Sequence, residues 1–441
     1  MASAREVALR TLCAGERQGA WSDGYLKQAI RNAGLDRRDA ALATRLCYGV
    51  VQNKLRLDWY LAGLSSMPLE RLNVYTLCAL RLGLYQLQFM DRIPESAAVN
   101  EAVSLTRRYV RNPRAAAMVN GILRTYLRRR GELPEPEGGS WAQTMSLRTS
   151  HPLWLVEEFA ARLGQDGAEQ LLRCDNEQPP TTVQANTLRI TPRALIGCLE
   201  EEGVEAQAHP WVPGCLTLRG TGDIEALAAY RDGLFYVQDG ASRCAVSALG
   251  AAPGMRLLDC CAAPGGKSFA AALDMGGQGS ITACDIYPNK LKLIAAGAQR
   301  LGLSCIRTQK QDASQRREEW AGQFDAVITD VPCSGLGIIR KKPDIRYKAP
   351  EPLAALPELQ RSILENASAY VKSKGVLLYS TCTLLRRENE DVVEGFLSAH
   401  PEFAPEPFDV PGLGECGGMM TLWPHIHGTD GFFFAKLRKR G

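Results

Sequence analysis

Apolar residues recur every three or four positions through the first third of the chain. Leu42, Leu46 and Val50 share one helical face, Leu77, Leu80, Leu84 and Leu87 a second, and Val99, Val103, Thr106 and Val110 a third. No strand-like alternation interrupts them, so residues 1–130 are expected to form an all-helical domain. The run Gly-Glu-Leu-Pro-Glu-Pro-Glu-Gly-Gly-Ser at 131–140 has no apolar period and marks a linker, taken as 131–150. Residues 151–245 mix types. A helix opens at His151-Pro152 and runs through Phe159 and Leu163, a strand covers Thr182–Asn186, a helix Pro192–Glu201, and a short strand Leu234–Val237. This reads as a small α+β domain. Residues 246–441 then alternate. Strand-like runs at Arg256–Cys260, Ser280–Asp285, Ser304–Gln309, Phe324–Thr329 and Gly375–Ser380 are separated by helical segments at Ser268–Asp274, Asn289–Leu301 and Leu356–Val371. Such alternation predicts an α/β domain with a parallel, doubly wound sheet. Phe432–Leu437 has no helix after it and is expected as an antiparallel edge strand.

With 441 residues, 45% hydrophobic and 23% charged, the chain can bury real cores, which excludes general disorder. No uncharged apolar run approaches the ~18–20 residues of a spanning helix, and no membrane association is expected. Met1–Glu6 lacks the apolar stretch of a secretory leader, so a cytoplasmic setting is expected. The fourteen cysteines contain no C-x-x-C pair, which removes the common zinc patterns. His425 and His427 lack further ligands in their surroundings, and no metal site is expected. Most of the cysteines read as reduced, small apolar packing residues.

The net charge of +4 is unevenly spread. Residues 1–150 hold 22 Lys+Arg against 13 Asp+Glu, a net of +9, which leaves −5 on the remainder. Arg107-Arg108, Arg111, Arg114 and Arg128–Arg130 concentrate the positive charge, a pattern suited to phosphate contact.

In an open α/β sheet, ligands bind beyond the carboxyl ends of the strands. Here the first strand ends in Asp259-Cys260-Cys261, followed by Ala262-Ala263-Pro264-Gly265-Gly266-Lys267; the second ends in Asp285, and Asp312 follows the third. The loop is neither G-x-G-x-x-G nor a Walker sequence, which disfavours dinucleotides and nucleoside triphosphates. Gly265 and Gly266 permit close backbone approach. Asp285 lies 19 residues after Gly266, the spacing at which a carboxylate reaches a ribose hydroxyl pair. Asp312 is placed to accept from an adenine amino group. An adenosine ligand without pyrophosphate fits, and S-adenosylmethionine is the common one. Lys267 is expected to face the cleft, whereas Cys260 and Cys261 alternate across their strand and read as packing. Strand four ends in Asp330-Val331-Pro332-Cys333 and strand five in Thr381-Cys382-Thr383, so two thiols face one cleft. A thiolate adding to carbon 6 of a pyrimidine turns carbon 5 into a nucleophile toward a methyl sulfonium. Asp330 is placed to stabilise the adduct near ring nitrogen 3.

The strings Asp259–Lys267, Asp330–Gly335, Ser380–Thr383 and Gly428–Phe433 resemble the RNA 5-methylcytosine methyltransferases. The likeness extends over the whole chain, with a NusB-like N-terminal RNA-binding domain. The arrangement is similar to the bacterial 16S rRNA (cytosine-C5) methyltransferases. The resemblance implies a Rossmann-like class I methyltransferase domain, with Cys382 as nucleophile and Cys333 assisting release. It also implies cofactor contacts at Cys261, Ala262, Ala263, Pro264, Gly265, Gly266, Lys267, Asp285, Asp312 and Asp330. The basic loop Gly337–Arg346 follows Cys333, and Arg340, Lys341, Lys342 and Arg346 are expected to grip RNA phosphates beside Arg107, Arg108 and Arg111. The expected partner is 16S rRNA, the expected state a monomer. Competing readings are the same chemistry on tRNA or 23S rRNA, a noncatalytic RNA-binding assembly factor, and a DNA methyltransferase.

Overall fold

In the computed structural model, which describes residues 2–18 and 23–441, short polar side chains start most of the N-terminal helices. Asp36, Asn73, Asn112 and Ser140 each accept a hydrogen bond from a backbone N–H in the first turn of the helix that follows. The helices they open are Arg37–Gln52, Val74–Phe89, Pro113–Arg129 and Trp141–Thr149. The last lies inside the expected linker, where Ser140 supplies a cap that the proline- and glycine-rich composition obscured. Helix Val74–Phe89 is buried over most of its circumference and forms the axis of the bundle. Leu80, Leu84 and Leu87 on it pack with Leu46, Val50, Val99 and Val103 from the neighbouring helices. Its one buried cation, Arg81, is satisfied by a two-bond fork to Asp58 (2.7 and 2.8 Å) and by Glu16 at 3.0 Å.

The chain divides into two compact units. One comprises Met1–Asn176 with Lys342–Tyr347, the other Glu177–Lys341 with Lys348–Gly441. The helix opening at His151-Pro152, Leu153–Cys174, therefore groups with the N-terminal helices.

Among the described residues, the second unit holds all fourteen strands. β1 (Thr181–Ala185), β2 (Glu205–Ala208), β3 (Cys215–Arg219) and β4 (Phe235–Val237) form an antiparallel sheet in the order β2-β3-β1-β4. Helix Pro192–Glu201 covers it with Leu195 and Leu199. The larger sheet contains β5 (Arg256–Asp259), β6 (Ser280–Asp285), β7 (Ile306–Lys310), β8 (Phe324–Asp330) and β9 (Val371–Thr381), all parallel, in the order β9-β8-β5-β6-β7. The remaining strands are β10 (Phe403–Pro405), β11 (Phe408–Val410), β12 (Gly414–Cys416), β13 (Met419–Leu422) and β14 (Phe432–Lys439). β14 runs antiparallel to β9, and β10 and β13 both pair with its far side. The late strand is thus antiparallel as expected but is covered rather than outermost. β11 and β12 pair as a separate ribbon.

Successive strand residues point to opposite faces. Leu257, Ile281, Ala326, Ile328 and Leu378 meet helices Gly240–Leu249 and Gly266–Asp274 on one face. Leu258, Cys284, Val327, Leu377 and Tyr379 meet helices Leu356–Tyr370 and Glu390–Ala399 on the other. Strand order reverses between β5 and β8, and that switch point positions the site.

Candidate active site

The loop after β5 turns sharply into helix Gly266–Asp274. Gly265 has φ 115°, and a Cβ there would stand 2.5 Å from the Phe269 ring, so this position excludes other residues. Beneath the loop Asp259 is fully buried and accepts from Ser268 Oγ at 2.7 Å. Burial, with Asp330 nearby, pushes its pKa up to about 7 against the hydrogen bond from Ser268. Asp259 thus supports the loop from below.

Lys267, on the first turn of that helix, reaches Asp330 Oδ2 at 2.8 Å and Ser242 Oγ at 3.3 Å, and its ammonium lies 4.9 Å from the Phe432 ring centre. Asp330 Oδ1 accepts from Ser380 Oγ at 2.9 Å. Beside this pair, Cys333 Sγ and Cys382 Sγ are 3.4 Å apart. A hydrogen bond from Cys333 lowers the pKa of Cys382, with help from Lys267, against burial and the carboxylates of Asp330 and Asp430. The same contact and burial raise Cys333 well above the ordinary thiol range. The two thiols are thus shifted in opposite directions, Cys382 down and Cys333 up.

Two further carboxylates stand at the ends of adjacent strands. Asp285 Oδ1 accepts from Tyr287 N at 2.9 Å, and Lys290 approaches its other oxygen at 3.8 Å. Ile286 and Tyr287 beside it are exposed apolar residues that carry no motif in the sequence. Asp312 Oδ1 accepts from Ser314 N and Oγ. A glycine turn at a helix start, a strand-end carboxylate beside exposed apolar side chains and a second carboxylate next to it suit an adenosine sulfonium, which needs ribose and adenine acceptors but no phosphate cradle. Cys261 is part-buried at the start of this loop, next to Ala262, whose N–H bonds Cys284 O at 2.7 Å.

The basic loop after Cys333 departs in part from its expected role. Arg346 is fully buried. Its guanidinium donates to the carbonyls of Gln52, Thr149, Ser150 and Asp175 and to Asn176 Oδ1 at 2.9 to 3.3 Å, so it joins the N-terminal unit and meets no phosphate. Lys341 is also diverted: its ammonium sits between Asp239 (2.8 Å) and Asp430 (2.7 Å). Arg340 donates to Thr429 O at 2.5 Å, whereas Lys342 is exposed. In the helical unit Arg107 and Arg111 are exposed and, with Arg124, line a groove of about 840 Å³ between helices Glu95–Tyr109 and Pro113–Arg129. Arg108 is held by Glu6 at 2.8 Å.

The doubly wound sheet, with the glycine turn, the carboxylates and the two thiols at its strand ends, defines a Rossmann-like methyltransferase unit, joined to a NusB-type helical domain and a small α+β domain. Residues 246–438 match the family described as 16S rRNA methyltransferase RsmB/F, residues 2–128 the NusB family, and residues 151–225 an RsmF/B-like ferredoxin-like domain. The chain is 36% identical to the probable ribosomal RNA small subunit methyltransferase B of Bacillus subtilis, over 100% of this chain and 99% of the relative. Among solved structures, PH0851 superposes with a TM-score of 0.82 at 27% identity, covering 98% of each chain. A methyltransferase homologue from Pyrococcus horikoshii gives 0.59 at 27% identity, over 69% of this chain and 100% of that one. The chain belongs to the 16S rRNA methyltransferase RsmB/F family of S-adenosylmethionine-dependent enzymes.

Proposed function

We propose that this protein methylates carbon 5 of a cytosine in 16S rRNA through a covalent adduct on Cys382. The observation that carries the reading is the 3.4 Å contact of Cys333 and Cys382, next to the Lys267–Asp330 pair. S-adenosylmethionine supplies an electrophilic methyl group. Cys382 Sγ bonds to carbon 6 of the cytosine, and the displaced electron pair makes carbon 5 nucleophilic. Lys267 and Asp330 offer a donor and an acceptor to the polar edge of the ring as charge builds there. The methyl group would pass to carbon 5 with S-adenosylhomocysteine as leaving group; carbon 5 then gives its proton to water, the C5–H electron pair re-forms the C5–C6 double bond, and the carbon–sulfur bond breaks to return the Cys382 thiolate, with Cys333 as the group that assists release. Asp285 and Asp312 would hold the ribose and adenine of the cofactor. The target base reaches Cys382 from a single-stranded segment or after leaving its stack. Arg107 and Arg111, with Lys342, contact RNA phosphates.

The test is Cys382→Ala. It is expected to abolish methyl incorporation into 16S rRNA while leaving S-adenosylmethionine affinity unchanged, and bisulfite sequencing should then lose one cytosine signal. Retained turnover, or a signal that disappears in tRNA or 23S rRNA alone, would overturn the assignment.

A further inference from the structure

Neither cysteine is positioned by its own loop alone. After β9 the chain makes a short helical turn, Arg386–Glu388, and then enters helix Glu390–Ala399. The turn delivers Glu388 and Asn389, both fully buried, to the underside of the two cysteine loops. Glu388 Oε2 accepts from the N–H of Ser334, the residue after Cys333, at 2.8 Å, and from Gln360 Nε2 at 2.9 Å. Gln360 Nε2 also donates to the carbonyl of Pro332, the residue before Cys333, at 3.0 Å. Asn389 does the same for the other thiol. Its Oδ1 accepts from Thr381 Oγ1 at 2.6 Å and its Nδ2 donates to Thr383 O at 3.0 Å, bracketing Cys382. The Ser334 and Thr383 hydroxyls close the frame at 2.6 Å, and Tyr379 OH anchors the Glu388 carbonyl at 2.6 Å.

A buried carboxylate is costly, and an apolar residue of similar volume serves stability as well or better. The bonds that Glu388, Gln360 and Asn389 make fall on the residues flanking the two thiols. We infer that Glu388 and Asn389 are positioning residues for the two half-reactions, Glu388 with Gln360 aligning Cys333 for release and Asn389 aligning Cys382 for attack. The inference rests on the covalent reading above.

The experiment uses the full-length protein, with S-adenosylmethionine and 16S rRNA carrying either cytosine or 5-fluorocytosine, the latter halting the reaction at the adduct. Asn389→Ala is expected to slow adduct formation on the fluorinated RNA by about tenfold to a hundredfold, the range for displaced reacting groups, with no adduct accumulating on normal RNA. Glu388→Ala is expected to form the fluorinated adduct at close to the wild-type rate, yet to accumulate a covalent band on normal RNA. Gln360→Met should act in the same direction as Glu388→Ala. Glu388→Gln, which keeps an acceptor oxygen, should restore most of the turnover. Cofactor affinity should be unchanged throughout. If the Asn389 and Glu388 variants slow the same step equally, or leave both steps at wild-type rates, the positioning role is wrong while the covalent reading stands. If the wild-type protein forms no fluorinated adduct, the covalent reading fails, and this inference with it.

Discussion

At Cys382 two influences oppose each other. Burial raises a thiol's pKa, and the hydrogen bond from Cys333 lowers it by more. Replacing Cys333 by alanine removes the favourable half. The alkylation profile of Cys382 with iodoacetamide should therefore shift to higher pH in Cys333→Ala, and an unshifted profile would mean that Cys333 does not donate. Asp259 provides a second test. Its pKa is raised by burial from an ordinary carboxylate value to about 7. The folded state thus holds the proton more tightly than the unfolded state, and stability present at low pH is lost as pH rises from about 4 to about 7. Asp259→Asn cannot ionise, so its melting temperature relative to wild type should rise between pH 5 and pH 8; a constant difference would place the proton elsewhere. At this scale the sequence was informative wherever chemistry is carried by a short string. The two cysteines, Lys267 and Asp330 lie together at the ends of neighbouring strands, while Asp285 and Asp312 stand at the ends of the two strands beyond them. Arg346 misled because its charge is visible in the sequence and its burial is not.

The elements explain how the cysteine loops stay in register. Gly337 N donates to Cys382 O at 2.9 Å, and Gly431 N donates to Gly337 O at 2.8 Å, so the loops after β8 and β9 and before β14 are stitched together. A Cβ on Gly337 would stand 1.9 Å from Gly431 O and 2.9 Å from Cys382 O, both backbone atoms unable to move aside. Gly337→Ala is expected to cost about 1–3 kcal/mol of stability, the range for overpacking, read as a lower urea midpoint, and to slow methyl transfer more than it weakens RNA binding. The long apolar strands and the amphipathic helices were legible because their periodicity is local. β2, β3 and β10 to β13 were not read, although β4 and β5, of similar length, were. The cap at Ser140 was hidden by its proline- and glycine-rich neighbours.

For the molecule as a whole, the +9 on residues 1–150 gathers partly into one groove. Replacing Arg107, Arg111 and Arg124 together by glutamate should weaken RNA binding and flatten its salt dependence by about 0.7–0.9 in log–log slope for each phosphate that the protein no longer neutralises. An unchanged slope would make the groove ordinary solvated surface. The order of domains, the doubly wound sheet and the strings that end its strands were written in periodicity and short motifs, because those depend on neighbours a few residues apart. The fate of each charge was not. Lys341 ends between Asp239 and Asp430, 102 and 89 residues away in the chain, and Glu388 meets the peptide after Cys333 across 54 residues. Which polar group is buried, and against what partner, follows from how distant segments pack, and that information is absent from any local window of the chain.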